Sequence, residues 1–373
     1  MNLKKITAVI TACFAVAFFN FSCHSEPEDL SAESTILINA DTGEILYGKN
    51  PYEERAMAST TKIMTTLITL EEGQLDRRFV VDSMAIRVEG TSMGLQEGDI
   101  VTRRALCYGM LLPSGNDAAN AAAVSISGDI SAFAEKMNKK ALEIGMNNTS
   151  FANPSGLDAD GHYSTAYDMA LLTRYALKNE EFRNICGLSS ASLEYGNPPY
   201  KRTLYNSNKL LNLYEGCIGV KTGFTDNARR CLVSAAERDG VTLIAVTLNA
   251  PDDWNDHEKL LDYGFSLLSP MEITPESFTL PVFGGKETKI SVSPEKNEII
   301  GISPGSEQNV KIEYHIPAFL YADIEKGDKI GTAKIYYNDE EISAIPMIAS
   351  EDSFREIPEK TFSEWIMDIF NLG

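Results

Sequence analysis

Cys231-Leu-Val-Ser-Ala-Ala-Glu-Arg-Asp-Gly-Val-Thr-Leu-Ile-Ala-Val-Thr-Leu-Asn249 is the stretch on which the fold turns. Two apolar runs, Cys231 to Ala236 and Thr242 to Asn249, flank Asp239-Gly240. Asp-Gly tolerates the positive φ values of a tight hairpin turn, so the runs are predicted to pair as antiparallel strands. Gly219 to Thr222 supplies a third strand just upstream. Near the N-terminus, Ile36-Leu-Ile38 and Ile45-Leu-Tyr47 flank Asp41-Thr-Gly43 and read as a second hairpin. Together these segments predict a five-stranded antiparallel sheet.

The stretch between the hairpins is helical in pattern. Thr60 to Leu70 places Ile63, Met64, Leu67 and Ile68 on adjoining turns, Asn116 to Val124 is rich in Ala, and Ser131 to Ile144 is stopped by Gly145. Thr165-Ala-Tyr-Asp168 resembles a capping box with Asp in place of Glu, opening a helix through Leu177. A last helix is expected over Asp256 to Leu268. The fold class is therefore α+β, with helices flanking the sheet, over residues 30–270. Near Pro270 the texture changes. Lys289-Ile-Ser-Val, Val310-Lys-Ile-Glu-Tyr, Ile335-Tyr-Tyr and Glu341-Ile-Ser-Ala-Ile are short alternating runs among Gly, Pro and Asn-Asp breaks. They predict a small all-β domain over 274–350.

The 373 residues carry 53 Asp and Glu against 33 Lys and Arg, a net charge of −20. Nucleic acid is excluded as a partner by that balance, because phosphate binding requires a basic patch. Residues 1–25 read as an export signal: Lys4 and Lys5, an apolar stretch from Ile6 to Phe21, then an acidic exit. Cys23 offers lipid modification as an alternative to plain secretion, although Asn20 and Phe21 suit a lipoprotein site poorly. Either route puts the mature chain outside the cytoplasm. At the other end, over 356–373, Phe362, Trp365, Ile366, Ile369 and Phe370 form one helical stripe. Such a helix would lie in a membrane interface or dock on its own domain; Glu359, Glu364 and Asp368 would be repelled by anionic lipid. The six cysteines have no CxxC spacing and the four histidines form no HExxH pair, so no metal and no cofactor is expected. Cys217 and Cys231 flank a hairpin and are read as free buried thiols, with facing partners as the alternative.

Three short elements carry chemistry. Ser59-Thr-Thr-Lys62 opens the first helix, where positions i and i+3 lie about 5 to 6 Å apart at Cβ. A neutral lysine there can take the serine proton. Free lysine keeps its proton to about pH 10.4, so making it a base near neutrality costs roughly 4 kcal/mol, which burial and a second cation would supply. Ser114-Gly-Asn116 offers a hydroxyl and an amide for proton relay and substrate positioning. Lys221-Thr-Gly223 ends a strand whose edge can pair with an extended peptide, with Gly223 allowing close approach and Lys221 as the candidate second cation. Each alone is equally a helix cap or a strand end.

All three in this order are far less probable by chance. The sequence resembles the active-site-serine penicillin-recognising enzymes, whose motifs are Ser-x-x-Lys, Ser-x-Asn and Lys-Thr-Gly. It is most similar to the low-molecular-mass D-alanyl-D-alanine carboxypeptidases of peptidase family S11. Ala58-Ser-Thr-Thr-Lys-Ile-Met-Thr65, Leu112-Pro-Ser-Gly-Asn-Asp-Ala-Ala119, Asn153-Pro-Ser-Gly-Leu-Asp158, Gly219-Val-Lys-Thr-Gly-Phe-Thr225 and Leu260-Leu-Asp-Tyr-Gly-Phe265 carry the likeness. It implies a β-lactamase/transpeptidase-like first domain and a peptidoglycan pentapeptide substrate, with β-lactam antibiotics acylating the same serine. Ser59 would be the nucleophile and Lys62 the base, with Ser114 and Asn116 in relay. Lys221 and Thr222 would hold the terminal carboxylate, while the N–H groups of Ser59 and Phe224 would form the oxyanion hole. Some relatives carry His where Phe224 stands, and some an Arg in the stretch that here reads Asp252-Asp253-Trp254.

Three rivals stand beside this reading. A class A β-lactamase requires a Glu for its deacylating water, and Glu143-Ile-Gly-Met-Asn147 departs from that pattern at Met146. An endopeptidase of the same family would look nearly identical in sequence. Intact Ser59 and Lys62 weigh against a non-catalytic wall-binding or β-lactam-sensing module.

Overall fold

The computed structural model describes residues 26–355. The expected export signal over 1–25 and the expected helix over 356–373 lie outside the described residues. The chain opens with strands β1 (Ser34–Asn39) and β2 (Ile45–Lys49), then a 3-10 turn, Ala58–Thr61, leading into helix α1 (Lys62–Glu71). Short strands β3 (Arg78–Val80) and β4 (Ile100–Thr102) pair with each other. Helices α2 (Arg103–Leu111), α3 (Asn116–Ser127), α4 (Ile130–Ile144), α5 (Ala166–Ala176) and α6 (Glu180–Cys186) follow. Next come the hairpin β5 (Ser190–Gly196) and β6 (Pro199–Tyr205), a single turn α7 (Leu210–Leu213), strands β7 (Cys217–Thr225), β8 (Arg229–Arg238) and β9 (Val241–Leu248), and helix α8 (Asp253–Leu267).

The five-stranded sheet runs β2-β1-β9-β8-β7, antiparallel throughout. All eight residues of β9 are buried, as befits the central strand of a sheet covered on both faces. Side chains alternate across a strand. Leu243 and Ala245 therefore meet Leu260 and Leu261 of α8, while Ile244, Val246 and Leu248 join the larger cluster beneath α1, α2, α3 and α5. β7 is an edge strand. Its outer side is open to a ligand, and the chemistry gathers there.

Two local departures from expectation have clear causes. Ser59 sits on the 3-10 turn rather than in the α-helix, because Thr60 and Thr61 fold their hydroxyls back to the Met57 and Ala58 carbonyls, at 2.6 and 2.8 Å. In the capping box at Thr165, the hydroxyl accepts from the Asp168 N–H at 3.0 Å, but the Asp168 carboxylate turns instead to Asn148 N and Thr149 Oγ1. Only half the box forms.

From Ser269 onward the chain is all β. β10 (Ser269–Ile273) pairs with β13 (Glu298–Ile302), and β11 (Phe278–Phe283), β12 (Lys289–Pro294), β14 (Val310–His315), β15 (Leu320–Tyr321), β16 (Lys329–Tyr337) and β17 (Glu340–Ala349) form a six-stranded sheet ordered β14-β16-β17-β12-β11-β15. The β10–β13 pair meets the first domain through the tip of the β1–β2 hairpin. Asn39 Nδ2 donates to Gly301 O at 2.7 Å and Gly301 N to Asp41 Oδ2 at 2.9 Å. Cys217 and Cys231 stand opposite Ala236 and Gly223 respectively, so they lie at opposite ends of the β7–β8 pair, and both are free thiols.

Candidate active site

The 3-10 turn explains how Ser59 and Lys62 meet. At three residues per turn, side chains i and i+3 eclipse. Lys62 Nζ lies 2.8 Å from Ser59 Oγ. The same nitrogen is 2.7 Å from Asn116 Oδ1 and 2.5 Å from the Ser155 carbonyl, so three oxygens converge on one fully buried amine, two as acceptors of its hydrogens and Ser59 as the hydroxyl it can deprotonate. Asn116 is fixed in turn by its Nδ2, which donates to Glu89 O at 2.7 Å. Both Ala58, at φ 49°, and Ser114, at φ 65°, occupy the left-handed region, uncommon for residues with a Cβ. The strain sits immediately before the two serines that face the cleft or on them, where tertiary contacts hold it in place.

Two loops brace this arrangement. Asp117, next to Asn116, accepts from the backbone N–H groups of Met93, Gly94 and Leu95 and from Ser92 Oγ, which ties the 91–95 loop beside the cleft. His162 braces the other side. Its Nδ1 accepts from Ala152 N at 3.0 Å, which leaves the proton on Nε2 to donate to Thr61 Oγ1 at 2.8 Å. Burial pushes the His162 imidazole down to about 4, so it is neutral and this bond pattern persists at ordinary pH.

Electrostatics favour an uncharged Lys62. Burial lowers its pKa well below the ordinary lysine value and the Lys221 ammonium lowers it further, with Asp117 opposing. Lys221 is itself buried, its Nζ donating to Thr222 O at 2.8 Å, and burial pulls it down to about 7. A directional consequence follows. Below about pH 7 Lys221 is a cation that favours neutral Lys62, so Lys221→Gln should raise the Lys62 pKa. The acidic limb of penicillin acylation, measured as a rate from pH 5 to 9, should then move to higher pH; a limb that stays or moves down would show that Lys221 does not tune the base.

A cleft of about 490 Å³ opens over these groups, in the range of small-molecule sites. Ser59, Ser114, Asn116, Thr222, Gly223 and Phe224 all line it, whereas Lys221 stands behind its wall. Gly223 is pressed against the nucleophile turn: a Cβ there would lie 3.0 Å from Ala58 Cβ and 3.1 Å from Ser59 N. On the partner strand, the Arg230 carbonyl accepts from Ala250 N on the β9 side. In an antiparallel ladder the opposite residue, Phe224, then turns its N–H away from β8 toward the open edge.

Several contributors escape sequence reasoning. Ser155 and Gly156 belong to a quoted motif, but nothing in the sequence places them under Ser59. Ser207, whose Oγ is 2.8 Å from Thr222 Oγ1, and Lys209 come from a connection that carries no motif. Arg230, Asp253 and Trp254 close the end of the cleft. Among the described residues no group of three or more His, Cys, Asp or Glu is arranged to hold a metal.

Comparison with known proteins now decides the family. A family model described as D-alanyl-D-alanine carboxypeptidase, Peptidase S11, matches residues 21–252. The chain belongs to peptidase family S11. A second model, the C-terminal domain of penicillin-binding protein 5, matches residues 276–353 of this S11 protein. The D-alanyl-D-alanine carboxypeptidase DacF of Bacillus subtilis is 36% identical over 350 residues, 90% of each chain. DacC of Escherichia coli is 30% identical over 359 residues, 91% of this chain and 88% of its own. Among solved structures, penicillin-binding protein 5 of Haemophilus influenzae aligns at a TM-score of 0.62 and 27% identity, covering 89% of this chain and 100% of its own. The Streptomyces K15 DD-transpeptidase aligns at 0.62 and 33% identity, covering 65% of this chain and all of its own.

Proposed function

We propose that the cleft is the active site of a serine-type D-alanyl-D-alanine carboxypeptidase that trims the terminal D-alanine from peptidoglycan pentapeptide stems. The observation that carries the assignment is the 2.8 Å contact between Ser59 Oγ and a buried Lys62 amine held below its ordinary pKa. Neutral Lys62 accepts the Ser59 proton as Oγ attacks the penultimate D-Ala carbonyl. The N–H groups of Ser59 and Phe224 receive the oxyanion. Collapse expels D-alanine, whose amine takes the proton back from Lys62 through Ser114. Water, deprotonated by Lys62, then hydrolyses the Ser59 ester and restores the enzyme. A β-lactam enters the same pathway and stops at the ester. Asn116 orients both Lys62 and the substrate amide, and the free edge of β7 at Thr222 and Gly223 pairs with the extended peptide.

This substrate lies outside the cytoplasm, in keeping with the export signal read over 1–25; among the described residues no helix is long and apolar enough to cross a membrane. We place the division between the domains close to residue 270, where α8 gives way to β10. Release of D-alanine from a pentapeptide tests the assignment. Wild type should release it and Ser59→Ala should be slower by about 10⁴-fold or more; equal release by both would move the nucleophile elsewhere. A crosslinked dimer offered in parallel reports an endopeptidase, and inertness toward both substrates reports a binding module.

A further inference from the structure

We propose that Arg230, clamped by Asp253 and Trp254, is the residue that grips the free carboxylate at the end of the substrate. The proposal rests on the carboxypeptidase reading above and deepens it. Such a substrate brings an anion into the cleft, so a cation must meet it. Lys62 is neutral and enclosed by Ser59, Asn116 and Ser155, so it offers no cation, and Lys221 stands behind the wall with its ammonium on the Thr222 carbonyl. Two cationic side chains line the cleft itself, Lys209 and Arg230.

Arg230 is the one built for the task. It lies on β8 opposite Phe224, one strand in from the edge that receives the peptide. Its Nε and Nη2 both donate to a single Asp253 oxygen, Oδ1, at 3.0 and 2.5 Å. The guanidinium carbon stands 5.4 Å from the centre of the Trp254 ring. The Asp253 side chain is 3% exposed and that of Arg230 is 40% exposed, so one edge of the guanidinium is anchored inside and the rest faces the cleft.

A guanidinium carries five N–H donors in a planar fork. Asp253 occupies the Nε–Nη2 edge. The end-on edge, Nη1 with the second Nη2 hydrogen, has no hydrogen-bond acceptor among the described residues, and it matches the two oxygens of a second carboxylate. The hydroxyl of Thr222, already in the cleft, completes a donor set around that anion. Lys209, by contrast, is an exposed, unbraced ammonium that must be ordered on binding at an entropic cost.

The test compares a pentapeptide ending in D-Ala-D-Ala as the free acid with the same peptide as its C-terminal amide, and benzylpenicillin with its methyl ester. In Arg230→Gln, kcat/KM for the acid and the rate of penicillin acylation should each fall by about 10²-fold. The amide and the ester should change by no more than about threefold, so the preference for a carboxylate collapses. Arg230→Gln/Asp253→Asn removes the buried acid left unpaired by the single change and should show the same collapse, which separates recognition from damage to the fold. Lys209→Gln should keep the wild-type preference. Preference unchanged in both arginine variants, or lost in Lys209→Gln instead, would overturn the proposal. Wild-type protein that releases no D-alanine and binds no penicillin would overturn the carboxypeptidase reading, and this assignment with it.

Discussion

Lys62→Met should slow acylation of Ser59 by penicillin by about 10⁴-fold while leaving the protein folded. The size of the effect comes from two losses. Ser59 keeps its hydroxyl but loses the base 2.8 Å away, and Asn116 loses the nitrogen that fixes its amide oxygen at 2.7 Å. Met preserves most of the buried volume and no charge is lost, but Asn116 Oδ1 and the Ser155 carbonyl lose their Lys62 partner, at a cost of about 1 to 3 kcal/mol. Circular dichroism and a melting temperature within about 10 °C of wild type would confirm the fold, allowing for up to about 3 kcal/mol of change. Acylation within tenfold of wild type would mean that another group takes the proton.

The second large effect is expected at a glycine. Gly156 has φ +85°, and a Cβ there would stand 2.0 Å from Ala58 O, 2.5 Å from Ala58 C and 2.9 Å from Ser59 N. Those atoms are backbone, so the clash cannot be relieved by rotating a side chain. Gly156→Ala must displace either the 153–158 loop or the nucleophile turn. Moving the loop takes the Ser155 carbonyl away from Lys62, and moving the turn takes Ser59 out of line. An error of about 1 Å at a reacting centre costs about 10²-fold in rate, and the packing conflict costs about 2 to 4 kcal/mol of stability. Gly161→Ala is the control. It lies in the same loop at φ +73° with nothing within 4 Å of the added Cβ, so it carries only the left-handed backbone cost of about 1 to 2 kcal/mol. Penicillin acylation and urea unfolding of both variants would check this; equal behaviour of the two would remove the close approach as the reason for Gly156.

What the sequence discloses and what it withholds follow from how local each signal is. The β8–β9 hairpin is written in Asp239-Gly240 and in apolar runs on either side, and the α4 terminus in Gly145, because turns and caps depend on a few adjacent residues. The Ser59–Lys62 pair is legible for the same reason: its geometry is set by one turn of chain. The β5–β6 hairpin is not legible in the sequence, although Ala191, Leu193 and Tyr195 alternate before Asn197-Pro198, because a two-stranded excursion carries little apolar contrast. Arg230 was invisible as a cleft residue. Its role depends on Asp253, brought beside it only when α8 folds back against the sheet, and no local pattern encodes that meeting. Gly156 shows the same limit. Its φ is a local property, but the carbonyl it must clear belongs to a residue almost a hundred positions earlier.

A labelled penicillin, followed by proteolysis and mass mapping of the adduct, tests the assignment of the Ser59–Lys62 pair most directly. The label should sit on Ser59 in the wild-type protein and be absent over the same interval in Lys62→Met. A label on Ser114 or any other side chain, or equal labelling of the two proteins, would contradict it.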